Sequence, residues 1–312
     1  MRVARLLLVF VLVSSVFAWD DVGHKATAYI AWQLMSPQAR EKAVKILLSA
    51  PEDSHLAVFF SNYSARPLEV RQLEFFMMAS VWADVVRDRN FPVRNSKYHK
   101  SDWHYFDKFW KFENGKVKLL ENPEGESGGK AVEKLFELEK ILRDPSVQDS
   151  EKAIALAWFL HIAGDIHQPL HNSAKVTEAF PKGDQGGNLF LLTPKGTPRE
   201  KQENLHWFWD SIIIRNIERG SACDLDFIPK ITEMITAEYP LSSMRNKLEL
   251  GKYDKWHEEA FEIAVTKVYP PTLKMFEMPS EEYRKEAFRI SKQQIALAGY
   301  RIGETLNQIF GK

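Results

Sequence analysis

The stretch His161-Ile162-Ala163-Gly164-Asp165-Ile166-His167-Gln168-Pro169-Leu170-His171 places three histidines and a carboxylate within eleven residues, at the end of the apolar run Ala153 to Leu160. On a helix, His161 and Asp165 lie one turn apart on the same face, about 6 Å along the axis. Two donor side chains on one helical face suit a divalent cation, as i,i+4 histidine pairs suit zinc. Pro169 should end the regular helix nearby, which leaves His171, just past it, free to turn toward a second cation. A single buried histidine on an apolar helix is ordinarily a hydrogen-bonded core residue. The pattern recurs, however. Asn204-Leu205-His206-Trp207-Phe208-Trp209-Asp210 again sets His and Asp at i,i+4, again on an aromatic-rich segment. Buried ionised carboxylates are costly unless paired or metal-bound, so two such pairs on apolar helices are hard to explain as packing.

Three further groups carry polar atoms among aromatics. Trp82-Ala83-Asp84-Val85-Val86-Arg87 offers Asp84 and Arg87, which by themselves read as a surface i,i+3 ion pair. Asp102-Trp103-His104-Tyr105-Phe106-Asp107, followed by Phe109, Trp110 and Phe112, is an aromatic cluster. Such a cluster is ordinarily core; polar groups at alternating positions instead suit a cleft wall on which rings or bases stack. The third group depends on processing. Cleavage after Ala18 makes Trp19 the first residue of Trp19-Asp20-Asp21-Val22-Gly23-His24. A free α-amine titrates near ~7.7–8.0, so a metal can displace its proton at neutral pH. Amine and carbonyl of one residue chelate a cation in a five-membered ring, with His24 as a further donor. Taken alone, these residues read as a surface plug and a solvated histidine.

The elements that must position these groups are helices. Helical apolar spacing covers His24 to Met35, and Ser36-Pro37 caps a second helix running to Ser49. Leu68 to Val86, Lys130 to Arg143, Glu151 to Ile166, Glu203 to Ile217, Phe227 to Tyr239 and Lys255 to Val268 follow. A last helix, Glu281 to Phe310, starts after a Pro279-Ser280 cap signal. Strands are expected only in part of 112–120 and at Asn188 to Thr193. The expected fold class is therefore all-α, a mainly helical domain with at most one or two short β-hairpins.

The 312 residues are 45% hydrophobic and 27% charged, with no linker, low-complexity run or repeat, which favours one domain over two. Lysine plus arginine (42) equals aspartate plus glutamate (42), so there is no basic footprint of the kind that holds duplex nucleic acid. Phosphate binding would have to be local, through a metal or a single arginine. Residues 1–18 read as a secretory signal: Arg2 and Arg5, an apolar Leu6 to Val13, and Val16-Phe17-Ala18 as cleavage site. The organisation expected is a signal peptide at 1–18 and one catalytic domain at 19–312, exported to periplasm or medium without a membrane span. The single cysteine, Cys223, permits no internal disulfide, so the exported chain must be held by its core, by metals, or by both. Asn62-Tyr63-Ser64 is a glycosylation sequon, of consequence only in a host that glycosylates.

Together these motifs resemble the zinc-dependent S1/P1-type nucleases, single-strand nucleases and 3′-nucleotidases. The resemblance runs through the N-terminal Trp with its His five residues on, Trp-Ala-Asp-x-x-Arg at 82–87 and Trp-His-Tyr-x-Asp at 103–107. It continues through residues 161–171, Gly-Asp-x-Gly-Gly-Asn at 183–188, Asn-Leu-His-x-x-Trp-Asp at 204–210 and Leu-Ala-Gly-Tyr-Arg at 297–301. The resemblance implies a trinuclear zinc cleft in a helical domain. Asp84, His104 and His161 would hold the first zinc, and Trp19 with His24 the second, with Asp165 bridging the two. His171, His206 and Asp210 would hold the third. His167, inside the motif, is read as structural. The implied reaction is in-line attack of a zinc-bridging hydroxide on phosphorus, giving 5′-phosphate products from single-stranded DNA and RNA, and phosphate from 3′-nucleotides. Arg87 would neutralise the phosphoryl oxygens, Tyr105 stack a base, Asp107 bind its edge, and Asn188 contact the nucleotide or scissile phosphate. No stable protein partner is implied, and the protein is expected to be a monomer. Absence of disulfides points to the bacterial branch.

Two other readings are weighed. Zinc phospholipase C enzymes share this fold and a trimetal site, but carry Glu where Asp210 stands and a different spacing from the N-terminal Trp to its His. A non-catalytic exported zinc-binding protein would not need Arg87. A metalloprotease is disfavoured, because His257-Glu258-Glu259-Ala260-Phe261 lacks the second histidine of His-Glu-x-x-His.

Overall fold

The computed structural model describes residues 19–62 and 65–311, so the expected signal peptide and two residues of the Asn62 sequon lie outside it. Twelve helices are present among the described residues. They are α1 (Asp21–Leu34), α2 (Pro37–Leu48), α3 (Leu68–Val85), α4 (Pro92–Tyr98), α5 (Ala131–Arg143), α6 (Asp149–Asp165), α7 (Leu205–Asp210), α8 (Ile212–Asn216), α9 (Asp224–Glu238), α10 (Leu241–Met244), α11 (Tyr253–Ile263) and α12 (Glu281–Phe310). The mainly helical class expected from the sequence is what is found. No described helix is long and apolar enough to cross a membrane.

Helix α6 is the axis of the molecule. Every residue from Ala155 to Ala174 is buried, as expected of a helix apolar on all sides. Helices α1, α2, α3, α5 and α12 pack around it. Helix α1 lies directly on α12, and the close approach needs glycine: a Cβ on Gly299 would come within 2.6 Å of Ile30 Cβ. Side-chain caps start the helices that the sequence marked: Asp20 Oδ1 accepts from Gly23 N–H, Ser36 Oγ from Ala39 N–H and Ser280 Oγ from Tyr283 N–H.

A small sheet of order β2-β1-β3 completes the fold, formed by β1 (Lys108–Glu113), β2 (Lys116–Leu119) and β3 (Ser173–Lys175). The β1–β2 hairpin turns at Asn114-Gly115, both at positive φ (53° and 74°), the pair a tight hairpin turn demands. Strand β3 pairs parallel to β1, Lys108 opposite Ser173. That pairing ties together the chain just after His104 and the chain just after His171; Phe106 N–H also donates to His171 O at 2.9 Å.

Two expectations are corrected. Asn188 to Thr193 is not a strand: Gln185, Gly186 and Gly187 all take positive φ, so the chain turns tightly there. Only Leu191 bridges, to Asn204. The helix expected from Glu203 to Ile217 is two helices, broken at Ser211 (φ −95°, ψ 11°). Strand β3 is too short to leave a period-two signal.

Candidate metal centre

Sequence-distant donors converge at the buried end of α6. One ligand atom each from His24, Asp84 and His161 lie within 4.8 Å of one another; so do those from His104, His161 and Asp165, and those from His171, His206 and Asp210. The first two groups share His161. His24 comes from the first turns of α1, Asp84 from the end of α3, His161 and Asp165 from α6, His104 from the segment before β1, His171 from the turn that Pro169 opens, and His206 and Asp210 from α7. His24 stacks on His161, ring centroids 4.0 Å apart. That contact needs Gly164, where a Cβ would stand 2.9 Å from His24 Nδ1.

Backbone carbonyls orient the rings. His161 Nδ1 bonds Ser80 O at 2.8 Å, His171 Nδ1 bonds His104 O at 2.7 Å, and His206 Nδ1 bonds Gly186 O at 2.7 Å. A carbonyl only accepts, so each Nδ1 carries the proton and each Nε2 turns its lone pair to the interior. The sequence reading missed these anchors, because a carbonyl leaves no trace in residue type. His167 does the opposite: Nδ1 donates to Ala163 O at 2.7 Å, and Nε2 accepts from buried Arg301 at 2.8 Å, so neither nitrogen is left over.

The expected sets put Asp84 with His104 and His161, whereas here His24 joins Asp84 and His161, and Asp165, a member of the second group, faces donors of both. Its Oδ1 lies 3.2 Å from His24 Nε2, and its Oδ2 lies 3.1 Å from His104 Nδ1 and 3.3 Å from His161 Nε2. Arg87 Nη2 pairs with Asp84 Oδ1 at 3.0 Å, largely buried rather than at the surface. In the third group, Asp210 Oδ2 lies 3.3 Å from His206 Nε2, and Gln168, a residue the sequence reading left without a role, donates from Nε2 to Asp210 Oδ1 at 2.6 Å.

The electrostatics fit a cation. Burial pushes the His24 imidazole down to about 4 and holds His104 and His171 well below their ordinary range, so all three rings are neutral at pH 7. Burial also raises Asp165 to about 8 and Asp210 well above the usual carboxylate range. Without a compensating positive charge these acids keep their protons; a divalent cation takes the protons' place. His24 Nε2, His104 Nε2, Asp165 Oδ1, His171 Nε2 and Asp210 Oδ2 are buried with no hydrogen-bond partner. Such orphaned atoms concentrated at one place are the mark of donors awaiting an ion. The residues therefore fit divalent metal, held by nitrogen and oxygen alone.

The remaining sequence candidates lie on segments that carry or adjoin these donors. Trp19 is fully buried; its indole Nε1 donates to Gly164 O at 3.1 Å, and the next residue's N–H donates to Asp210 O at 3.2 Å, so the Trp19–Asp20 backbone runs beside the cluster. Tyr105 and Asp107 are half-buried, and Asp107 Oδ1 has no partner. Burial and the Asp184 carboxylate hold Asp107 well above the usual range. Asn188 sits half-buried in the loop that presents Gly186 O to His206, its own amide donating to Gln185 O at 2.9 Å.

Comparison with known proteins gives this arrangement a context. The chain is 23% identical to nuclease P1 of Penicillium citrinum, across 94% of this chain and 98% of that protein. It is 24% identical to nuclease S1 of Aspergillus oryzae, across 94% and 92%. Endonuclease 2 of Arabidopsis thaliana is 31% identical over about half of each chain, 50% and 52%. The profile described as S1/P1 nuclease matches residues 19–311, and with that coverage the chain belongs to the S1/P1 nuclease family.

Proposed function

We propose that this protein is a three-zinc phosphodiesterase that cleaves single-stranded DNA and RNA to 5′-phosphate products and also acts as a 3′-nucleotidase. Family membership makes it a nuclease with nucleic acid as substrate. The observation that supports the finer reading is the convergence of five buried imidazoles and three carboxylates, with orphaned atoms on His24, His104, His171, Asp84, Asp165 and Asp210. An all N/O donor set without thiolate suits zinc sites that keep positions open to water.

In this reading Asp84, His104 and His161 hold one ion, the amine and carbonyl of Trp19 with His24 a second, and His171, His206 and Asp210 a third. Zinc bound there supplies Lewis acidity and lowers the pKa of water toward ~7. The chain's own residues do the rest. Asp165 directs one oxygen to each of the first two groups, fixing their separation. Arg87, anchored on Asp84, neutralises charge developing on the phosphoryl oxygens. Tyr105 stacks the base, Asp107 meets its edge through the unpartnered Oδ1, and Asn188 contacts the nucleotide or its phosphate. A stacking site needs exposed base faces, which a duplex hides, and this favours single strands. Use of the Trp19 amine requires cleavage after Ala18, so the reading includes export, with residues 1–18 as signal and 19–312 as one monomeric catalytic domain.

The test is the chain beginning at Trp19, loaded with zinc and assayed on single-stranded DNA, RNA, a 3′-nucleotide and a phosphatidylcholine, with zinc counted by elemental analysis. Three zinc ions and hydrolysis of the first three substrates are expected. Turnover of the phospholipid alone, or full activity in chelator, overturns the proposal.

A further inference from the structure

We propose that Gln168 is a positioning residue of the third metal group, setting which oxygen of Asp210 faces the cation and so making Asp210 a one-ion ligand. This rests on the reading of His171, His206 and Asp210 as metal ligands.

The partners of Gln168 fix the sense of its amide. Gln168 is fully buried. Its Oε1 accepts the Leu170 N–H at 2.5 Å, and a backbone N–H can only donate, so the oxygen belongs on that side. Its Nε2 is thereby turned to Asp210 Oδ1 at 2.6 Å. Asp210 Oδ2 is left with no hydrogen-bond partner, 3.3 Å from His206 Nε2. Oδ1, tied by a neutral donor, lies 4.0 Å from His171 Nε2, and the bare Oδ2 faces His206 Nε2.

Asp165 provides the contrast within the same molecule. Both of its oxygens face imidazole nitrogens, one toward His24 and one toward His104 and His161, and no side-chain amide ties either. A carboxylate with two oxygens directed at donor groups suits two ions; a carboxylate with one oxygen tied suits one. The tying donor must be neutral. A lysine or arginine there would cancel the charge the cation requires, and an acid would repel Asp210 or share its proton. Gln168 is itself anchored: Asn172 Nδ2 donates to Gln168 O at 2.9 Å and to Ile166 O at 3.0 Å, while Asn172 Oδ1 lies 2.9 Å from His257 Nδ1 on α11. The turn carrying Gln168 also carries His171, so one anchored segment serves two members of the group. Partners of this kind around metal ligands typically account for about 10–100-fold in metal affinity.

The test compares Gln168→Glu and Gln168→Met with the parent protein, all zinc-loaded, by competition with a colorimetric zinc chelator. Gln168→Glu keeps the shape and the Leu170 contact but sets a carboxylate against Asp210; Gln168→Met keeps the volume and removes the donor. The expected result is that one of three zinc ions is held about 10–100-fold more weakly in both variants. The other two should bind as in the parent, with unchanged circular dichroism. Three ions held with parental affinity in both variants would overturn the proposal. So would loss of all three ions together with the fold, which would make Gln168 a packing residue. A parent protein that binds only two ions would instead defeat the ligand reading on which the proposal rests.

Discussion

Asp165→Asn separates what a buried carboxylate costs the fold from what it contributes to a metal centre. The side chain is fully buried, and burial raises its pKa from 3.8 to about 8. The folded value lies above the unfolded one, so the group favours the cation-free fold at low pH, and that stability is lost as pH climbs from ~4 through ~8. At pH 7 the span from 3.8 to 7, at about 1.36 kcal/mol per pH unit, comes to about 4 kcal/mol against the cation-free fold. Asparagine is neutral throughout and removes this cost, less about 1–2 kcal/mol for contacts it makes less well. The cation-free variant should therefore melt above cation-free wild type at pH 7, with a smaller slope than wild type between pH 4 and 8.

With zinc the order inverts. On the proposed reading two ions would lose a shared anionic ligand, and the stabilisation that binding confers, about 2.7 kcal/mol at a hundredfold excess over Kd, should shrink or vanish. Turnover on single-stranded DNA should fall at least ~10³-fold, as when a preorganised charge at the reacting centre is removed. The assay is thermal melting in chelator and in zinc at several pH values, beside nuclease turnover. An Asp165→Asn protein destabilised equally with and without zinc would refute the electrostatic reasoning. Wild-type turnover would refute the bridging role.

Arg87→Ala should lower kcat on single-stranded DNA about 10²–10³-fold while elemental analysis still finds every zinc, because its partner Asp84 keeps its other contacts. Tyr105→Ala should raise KM for a 3′-nucleotide about 5–150-fold, the equivalent of about 1–3 kcal/mol of stacking, and Tyr105→Phe should leave it near wild type. A chain carrying even one extra residue before Trp19 should bind one zinc fewer, since its first amine is displaced from the cluster; a full zinc complement in such a preparation would exclude the amine as ligand. Arg301→Met should cost stability on the order of 1–3 kcal/mol by leaving buried His167 Nε2 and the Leu248 and Lys247 carbonyls without their donor, seen as a lower denaturation midpoint with unchanged activity per folded molecule.

The site was legible where chemistry coincides with a period, and hidden where the backbone does the work. His161 with Asp165, and His206 with Asp210, announce themselves because i,i+4 spacing on an apolar helix turns two donors to one side, and each pair does lie in one group. Asp84 and Arg87 were ambiguous from spacing alone: the ion pair exists, but its burial beside His161 separates it from a surface pair, and burial is a property of the packed chain. The loop at 183–191 defeated the strand expectation because Asn188 to Thr193 is rich in residues that strands also use, while its conformation is set by positive φ at Gln185, Gly186 and Gly187. That same loop turns a carbonyl onto His206, so the feature misread as a strand is part of what orients that imidazole. Gln168 sits in plain view between two histidines, yet its partner Asp210 is 42 residues away, and only the folded chain brings the two together. A metal centre of this kind is written in the sequence as its donors; the groups that choose tautomer and oxygen come from carbonyls and amides that any residue order could supply. Substitutions at those supporting positions should therefore change metal retention before they change fold, and that ordering can be read directly by following zinc loss and circular dichroism on the same sample.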